Sequence, residues 1–196
     1  DLATAYYSGV SADISLEENS ASGITFSFDG LQMYIVGSST DNVYAYALTA
    51  PLDISSATNS GSALNISSIT TSPSGIRFNL DGTKLFVSGI ISDQLFQYNL
   101  TTGFDISTAT LAGSVVNFGL QDTAPVDFYL DESGTRLFMI GAGADSVYTY
   151  EMTDIAFAEP AANDGSVTGD MLLGIYGDNF ANAGSSATEY TIDNLP

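Results

Sequence analysis

The stretch "SFDGLQMYIVG" occupies residues 27–37, and close copies recur as "NLDGTKLFVSG" at 79–89 and "LDESGTRLFMIG" at 130–141. The glycines Gly30, Gly82 and Gly134 follow one another at intervals of 52 residues. The same interval relates three further sets: Gly37, Gly89 and Gly141; Asp41, Asp93 and Asp145; Tyr44, Phe96 and Tyr148. A fixed period of this length indicates one supersecondary unit repeated along the chain.

Each unit has the pattern of short β-strands. In the second unit, Ser62–Ile69 is a polar alternating strand candidate, and "GIRFNL", "KLFVSG" and "QLFQYNL" follow it. Asp81-Gly82 between the middle two is typical of a tight hairpin turn, because Gly accepts positive φ. Sustained helical periodicity is absent, so we expect almost no helix. We predict three units of four strands each, at 1–52, 53–104 and 105–154.

This period, with four antiparallel strands in each unit, is typical of a β-propeller blade. We therefore predict an all-β fold with three propeller-type blades. The more continuously apolar strands "QMYIVG", "KLFVSG" and "RLFMIG" are expected to lie between neighbouring blades, since a lone meander leaves both faces exposed.

Propellers have about four to eight blades, so three form an incomplete ring or part of an assembly. Three explanations stay open: further blades upstream, other copies of the chain, or open packing inside a larger assembly. The start at Asp1 instead of Met favours an incomplete chain or an assembly part. Residues 155–196 depart from the repeat, and we predict a linker containing "EPAANDGS" followed by a short C-terminal β segment.

The composition restricts the chemistry. The chain has 23 acidic against 3 basic residues, a formal charge of −20, and neither Cys nor His. Such a surface repels phosphate backbones and anionic lipid, so we expect neither nucleic-acid nor membrane partners. Disulfides, thiol nucleophiles and the Ser-His-Asp triad are excluded. The acidity favours solubility in a salty or extracellular medium, and divalent-cation binding is the alternative.

One aspartate per unit precedes the last strand of the meander, which predicts a rim of carboxylates on one side of a propeller. These residues are Asp41, Asp93 and Asp145, and with Tyr44 and Tyr148 they form our candidate ligand site. The carboxylates suit Ca²⁺ or sugar hydroxyls, and the tyrosines suit stacking on sugar rings. Ordinary roles in turns and in blade packing are the alternative for both sets. We predict no cofactor, with Ca²⁺ as the one ion considered and the metal otherwise unknown.

Two other acidic patterns have simpler explanations. Asp29-Gly30 and Asp81-Gly82 are more typical of hairpin turns than of ligand sites. Glu17-Glu18, Asp131-Glu132 and Glu151 are candidates for a carboxylate pair that hydrolyses glycosides, but acids are so plentiful that some lie close by chance. We therefore predict no catalytic residues.

The stretch "SGITFSFDGLQMYIVGSSTDNVYAYAL", with "LDISSAT" after it, resembles propeller repeats of tail-fibre and other virion proteins of marine bacteriophages. The resemblance covers roughly residues 1 to 152, and related repeats occur in bacterial surface proteins. It implies a non-enzymatic structural or adhesive virion component, located in the virion or outside the cell. The implied partners are other virion subunits, further copies of this chain and host surface glycan. A secreted or cell-surface lectin-like propeller and a polysaccharide depolymerase are the alternatives.

Overall fold

The computed structural model describes residues 6–131 and 134–152. Within them the chain forms eleven β-strands, two short 3-10 turns at Ile54–Ser56 and Ile106–Thr108, and no α-helix. The strands are β1 Ala21–Phe26, β2 Gln32–Gly37, β3 Asn42–Ala47, β4 Thr58–Asn65, β5 Pro73–Phe78, β6 Lys84–Gly89, β7 Gln94–Leu100, β8 Ala109–Asn117, β9 Pro125–Leu130, β10 Arg136–Gly141 and β11 Ser146–Glu151. No helix in this described part is long and apolar enough to cross a bilayer.

The strands form three antiparallel meanders. Their orders are β1-β2-β3-β4, β5-β6-β7-β8 and β9-β10-β11. The prediction of an all-β fold built from propeller-type blades is confirmed. The predicted linker and C-terminal β segment at 155–196 lie outside the described residues.

The sheets repeat every 52 residues, as predicted. They begin at Ala21, Pro73 and Pro125, however, and not at the first residues of the predicted units 1–52, 53–104 and 105–154. The polar strand expected at Ser62–Ile69 is β4, Thr58–Asn65, and it pairs with β3 as the outermost strand of the first sheet. The strand after Asp105-Ile106-Ser107, β8, closes the second sheet in the same way. A periodic sequence can be divided into repeat units that start at any residue. Only the hydrogen-bonded pairing of the strands shows where a sheet begins.

The predicted hairpin turns are confirmed at the Asp-Gly pairs. Gly30 has φ +71° and Gly82 has φ +72°, in the left-handed region that a tight turn requires. The Gly30 amide donates to the Ser27 carbonyl at 2.9 Å, and the Gly82 amide donates to the Asn79 carbonyl at 3.1 Å. Asp29 and Asp81 act inside these turns, where each side chain accepts the backbone amide two residues further on.

The core lies between the sheets, as predicted for the apolar second strands. Tyr34 and Val36 of β2 pack against Leu85 and Val87 of β6, and all four are fully buried. Between the second and third sheets, Phe86 and Leu95 pack with Leu137 and Met139. Burying one such side chain stabilises the fold by about 1.5–3 kcal/mol, so neighbouring sheets hold each other together.

Candidate functional site

The innermost strands β1, β5 and β9 lie side by side and border a groove of about 540 Å³. Its lining includes small residues and two charged ones: Ser22, Gly23, Ser74, Gly75, Arg77 and Asp127. In each innermost strand the pairing with its neighbour shifts register at the second residue, which marks a bulge at Ser22, Ser74 and Val126. Bulges re-aim side chains and often occur beside functional sites.

Arg77 and Asp127 form an ion pair across the groove. Arg77 Nη2 lies 3.4 Å from Asp127 Oδ2, and the two side chains are 33% and 47% exposed. Arg77 Nη1 donates to the carbonyl of Ile76 at 2.8 Å and to that of Ile24, on the neighbouring strand, at 3.3 Å. Because these contacts anchor the guanidinium to β1, β5 and β9 together, its position is fixed by all three sheets.

The Arg77–Asp127 ion pair depends on a glycine at the equivalent position of the preceding unit. Asp127 stands one period after Gly75, which itself follows Gly23 by 52 residues. A Cβ at Gly75 would lie 2.7 Å from Asp127 Oδ1 and 3.1 Å from Phe128. Only the missing side chain at position 75 therefore lets the Asp127 carboxylate approach the strand of Arg77.

The groove carries a local cation in an acidic chain. Arg77 is one of only three basic residues, with Lys84 and Arg136, against a formal charge of −20. A guanidinium has five N–H donors and stays charged at any ordinary pH. Anchored Arg77 is therefore able to bind a carboxylate, a phosphate or a developing oxyanion, while partly exposed Asp127 is able to accept a proton from water.

The predicted rim aspartates occupy equivalent positions in separate sheets. Asp41, Asp93 and Asp145 have φ of 54°, 50° and 50°, a conformation that Asp tolerates better than most residues. The Asp41 carbonyl accepts the Ile66 amide at 2.8 Å. The Asp93 carbonyl accepts the Phe118 amide at 2.7 Å.

These aspartates are not brought together. In the described residues no group of three or more acidic side chains is arranged to hold a metal ion. The Oδ1 atoms of Asp41 and Asp93 are buried without a hydrogen-bond partner. The backbone geometry explains a turn role, and binding of a ligand by these three residues stays a prediction.

The predicted tyrosines contact their own sheets. Tyr44 Oη accepts from Asn42 Nδ2 at 3.1 Å, and its ring packs beside the buried residues of the first sheet. Tyr148 Oη donates to the Gln121 carbonyl at 2.9 Å, and its ring packs on the core between the second and third sheets. These contacts suit blade packing, and stacking of either ring on a sugar stays a prediction.

A repeated buried polar position was missed in the sequence. Glu18, Thr70 and Asp122 are spaced by 52 residues and are 2%, 5% and 4% exposed. Each fills the space beside one of the repeated glycines, so a Cβ at Gly37, Gly89 or Gly141 would collide with it. The repeated glycines are recognisable in the sequence because the residue type is the same in every unit. The residues that contact them are Glu, Thr and Asp, so their repetition is not recognisable from residue type.

Glu18 in the first sheet and Asp122 in the third each connect two segments by hydrogen bonds. These segments are the loop after the second strand of the sheet and the residues before its first strand. The Glu18 carboxylate accepts from the Ser20 amide at 2.7 Å, from the Ser39 amide at 3.1 Å and from Thr40 Oγ1 at 3.0 Å. Asp122 accepts from the amides of Ala124, Gly143 and Ala144 at 2.8–3.0 Å. Both carboxylates are occupied in holding loops.

The carboxylate pairs considered for glycoside hydrolysis have other partners. Glu17 accepts from Tyr46 Oη at 3.0 Å and from Asn59 Nδ2 at 2.7 Å, so it faces away from the loop that Glu18 holds. Asp131 caps its hairpin turn by accepting the amides of Thr135 and Arg136. Glu132 lies outside the described residues, and Glu17 and Asp131 are both occupied by these other partners.

Comparison with known proteins shows the fold alone. No protein-family model and no curated protein matches the chain. A proposed 6-phosphogluconolactonase from Bacteroides uniformis matches 67% of this chain with TM-score 0.52 at 15% identity, and the match spans 36% of that protein. Another, from Bacteroides fragilis, has TM-score 0.50 at 15% identity over 65% of this chain and 33% of its own. A protein of unknown function from Desulfotomaculum acetoxidans has TM-score 0.50 at 19% identity, with 67% and 37% covered.

These structures correct the functional prediction. We expected a non-enzymatic structural or adhesive virion component, and this expectation is wrong, because the solved propellers that share the fold include proteins named as lactonases. The expectation that the chain is not an enzyme is wrong on the same finding. The repeat encodes how blades pack, which is the same in structural and enzymatic propellers, so it does not indicate function. The likeness to tail-fibre repeats stays a prediction.

Proposed function

We propose that the groove along the innermost strands hydrolyses the internal ester of a sugar-acid lactone, with Arg77 as the anion-binding residue and Asp127 as the general base. The observation that carries this proposal is the Arg77–Asp127 pair, with Nη2 and Oδ2 3.4 Å apart and both side chains open to the groove. The chain spans about a third of its structural neighbours, so the proposal concerns the part of the groove that it contributes.

The residue types support this reaction. Ester hydrolysis needs a group that removes a proton from water and a donor for the negative charge on the carbonyl oxygen. The chain contains no His, the residue that most often serves as a general base, so we assign this role to a carboxylate. Asp127 is the acidic residue in the groove lining, and Arg77 beside it is the cation.

The lining also supports a hydroxylated substrate. Ser22 Oγ donates to the Pro73 carbonyl at 2.6 Å, and Ser74 Oγ lies 2.9 Å from Ser88 Oγ, so these serine oxygens are held in place at the groove. Fixed hydroxyls suit sugar hydroxyl groups. The two Bacteroides proteins of the same fold are named for substrates of this class.

The proposed step needs no cofactor. Asp127 takes a proton from a water molecule, and the water oxygen bonds to the lactone carbonyl carbon. Arg77 N–H groups stabilise the negative oxygen of the tetrahedral intermediate. The intermediate then collapses, the bond from carbon to the ring oxygen breaks, and the ring oxygen receives the proton from Asp127. The product is the open-chain hydroxy acid.

The test is hydrolysis of gluconolactone and of 6-phosphogluconolactone by the full chain, measured above the spontaneous rate. We expect D127N to lose about 10²–10⁴-fold in turnover, the usual contribution of a general base. R77Q should lose about 10²–10³-fold, the usual effect of removing one oxyanion donor. Wild-type protein that adds nothing to the spontaneous rate would contradict the proposal.

R136Q is the matched control. Arg136 also pairs with an aspartate, because its Nε lies 3.6 Å from Asp131 Oδ2, but this pair belongs to a hairpin turn. Its removal should leave the rate unchanged. Equal losses in R136Q and R77Q would mean that the charge of the chain matters, and not the groove pair.

A further inference from the structure

The turn between the second and third strands has the same backbone geometry in all three sheets. Its last residue is an aspartate with positive φ, between 50° and 54°. Successive N–H groups in a turn of this kind form a concave site for an anion. The first amide of the turn donates to the carbonyl directly before the first strand of the sheet: Ser38 to Ser20 at 3.1 Å, Ile90 to Ser72 at 2.9 Å and Ala142 to Ala124 at 2.9 Å.

In the first sheet a carboxylate of the chain itself occupies this concave site. The two amides between the first and last residues of the turn, which we call the amide pair, are those of Ser39 and Thr40. They donate to the Glu18 carboxylate at 3.1 and 3.3 Å. The Ser20 amide donates to the same carboxylate at 2.7 Å. The site thus offers three backbone donors to one anion.

The third sheet holds a carboxylate in the same way. Its amide pair, Gly143 and Ala144, donates to Asp122 at 3.0 and 2.8 Å, and the Ala124 amide adds a third bond at 2.8 Å. Burial raises the pKa of Asp122, but these amide hydrogen bonds outweigh it and keep the pKa below its ordinary value. The site therefore favours a charged carboxylate, although the chain as a whole carries −20.

The second sheet has the turn but not the carboxylate. Thr70 stands 52 residues after Glu18, and its hydroxyl accepts the Ser72 amide at 3.1 Å. The amide pair of this sheet belongs to Ile91 and Ser92, and neither amide has a hydrogen-bond acceptor in the described part of the chain. The Ile91 side chain is 72% exposed, so solvent reaches this turn. Two backbone donors that hold a carboxylate in the other sheets are therefore accessible here.

The position of the Thr70 hydroxyl explains why it leaves the amide pair unpaired. In each sheet one atom lies nearest to the point where a Cβ would stand on the glycine that ends the second strand. This atom is the carboxyl carbon of Glu18 in the first sheet and that of Asp122 in the third. In the second sheet it is Thr70 Oγ1. The threonine oxygen thus takes the place of a carboxyl carbon, one bond short of the oxygens that an amide pair binds.

We propose that the turn of the second sheet binds a small external carboxylate. The ligand oxygens accept the Ile91 and Ser92 amides, as the oxygens of Glu18 and Asp122 accept the equivalent amides in their own sheets. The Thr70 hydroxyl is able to donate its own proton to the same ligand. Hydrogen bonds to a charged acceptor are the stronger kind, which favours a carboxylate over a water molecule at this point.

Neighbouring charge does not distinguish the second sheet from the other two. Asp93 ends its turn, and Asp41 and Asp145 end the turns that hold a carboxylate, with nearly the same φ. Any repulsion that Asp93 exerts is therefore also present where Glu18 and Asp122 bind. An external ligand in addition loses translational and rotational freedom, so we expect weaker binding than these tethered carboxylates achieve.

Amide chemical shifts test the site at its own atoms. The ¹⁵N-labelled full chain is titrated with sodium formate up to about 100 mM, which detects dissociation constants into the millimolar range. We expect the Ile91 and Ser92 amide protons to move downfield along a saturating curve. The Ser39 and Thr40 amides should stay in place, because Glu18 already accepts them. Ile91 and Ser92 amides that do not respond to formate would overturn the proposal.

T70E is the matched variant, because it gives the second sheet the residue that fills the site in the first. Its Ile91 and Ser92 amides should lie downfield without formate and should not respond when formate is added. T70D repeats the measurement with the side chain used in the third sheet, so the result does not depend on one variant folding. T70S keeps the hydroxyl and should respond like wild type. An equal response to formate in wild type, T70E and T70D would mean a general salt effect and would overturn the proposal.

A competing occupant is an aspartate or glutamate of another copy of this acidic chain. The formate-free spectra are therefore recorded over a dilution series of the protein. We expect the Ile91 and Ser92 amide shifts to be independent of protein concentration. Shifts that follow protein concentration and not formate would assign the site to a contact between copies and would also overturn the proposal.

Discussion

At the scale of single residues, Glu18 shows how a buried charge is kept in this acidic protein. Burial by itself raises the pKa of Glu18, but hydrogen bonds from Ser39, Ser20 and Thr40 outweigh it and hold the pKa below its ordinary value. The carboxylate is 2% exposed and accepts backbone and hydroxyl donors from two segments. Its charge therefore stabilises the fold, although the chain already carries a net charge of −20.

We predict that E18Q destabilises the protein most at neutral pH. The amide group of Gln faces N–H and O–H donors that the carboxylate accepted, so the free energy of unfolding should fall by about 1–3 kcal/mol. The folded pKa of Glu18 is lowered. Its contribution is therefore complete above the unfolded pKa of about 4.3 and is lost as the pH falls through the folded value.

Urea unfolding of wild type and E18Q at pH 7 and at pH 3 measures this difference. The gap between the two proteins should shrink at the lower pH. E17Q is the control at pH 7, where we expect a loss below about 1 kcal/mol because Glu17 bonds near the surface. A gap between wild type and E18Q that is equal at both pH values would contradict the role given to the charge.

At the scale of secondary-structure elements, the hairpin turn of each of the first two sheets is joined to the loop that precedes the outermost strand of that sheet. The Leu52 amide donates to the Gly30 carbonyl at 2.8 Å, and the Phe104 amide donates to the Gly82 carbonyl at 3.0 Å. Leu52 and Phe104 themselves have φ of 59° and 64°. The Phe104 ring lies directly over Gly82 and also contacts Phe78, with ring centroids 5.2 Å apart.

We predict that G82A is more destabilising than G134A. Both glycines have nearly the same positive φ, +72° and +68°, so the backbone strain of an added Cβ is similar, about 1 kcal/mol. At Gly82 the new methyl would also collide with the Phe104 ring, whereas nothing lies within 4 Å at Gly134. Unfolding midpoints in urea at constant slope provide the comparison. Equal losses in the two variants would show that the Phe104 contact is unimportant.

At the scale of the whole molecule, net charge opposes the compact state. The chain carries −20, and in the described residues the two ion pairs are Arg77–Asp127 and Arg136–Asp131. Stability therefore comes from the apolar layers between the sheets, and the acidic surface repels itself.

We predict that added salt stabilises the fold. Between about 0.01 M and 1 M the Debye length falls from about 30 Å to about 3 Å, which screens the repulsion among carboxylates. The urea midpoint should rise with KCl concentration. A midpoint independent of KCl would contradict this expectation. A larger rise with CaCl₂ at equal ionic strength would support the calcium hypothesis for the rim aspartates.

Much of the blade architecture was predictable from local patterns. The interval of 52 residues, the Asp-Gly turns and the apolar second strands each depend on neighbouring residues in the chain. The sequence did not predict where each sheet begins. A polar strand such as β4 could be the first strand of one sheet or the last strand of the sheet before it, and both assignments agree with the repeat. Its place was decided by hydrogen bonds to β3, across the loop containing Ile54–Ser56.

The sequence by itself determined the kind of unit, since the period, the turn glycines and the alternation of apolar residues act over a few residues at a time. The tertiary structure alone determined which charged residues meet in the groove. Arg77 and Asp127 are 50 residues apart in the chain and meet because equivalent strands of adjacent blades lie side by side. A contact of this kind depends on how sheets pack, and the local repeat that builds each sheet does not encode which charged residues then face one another.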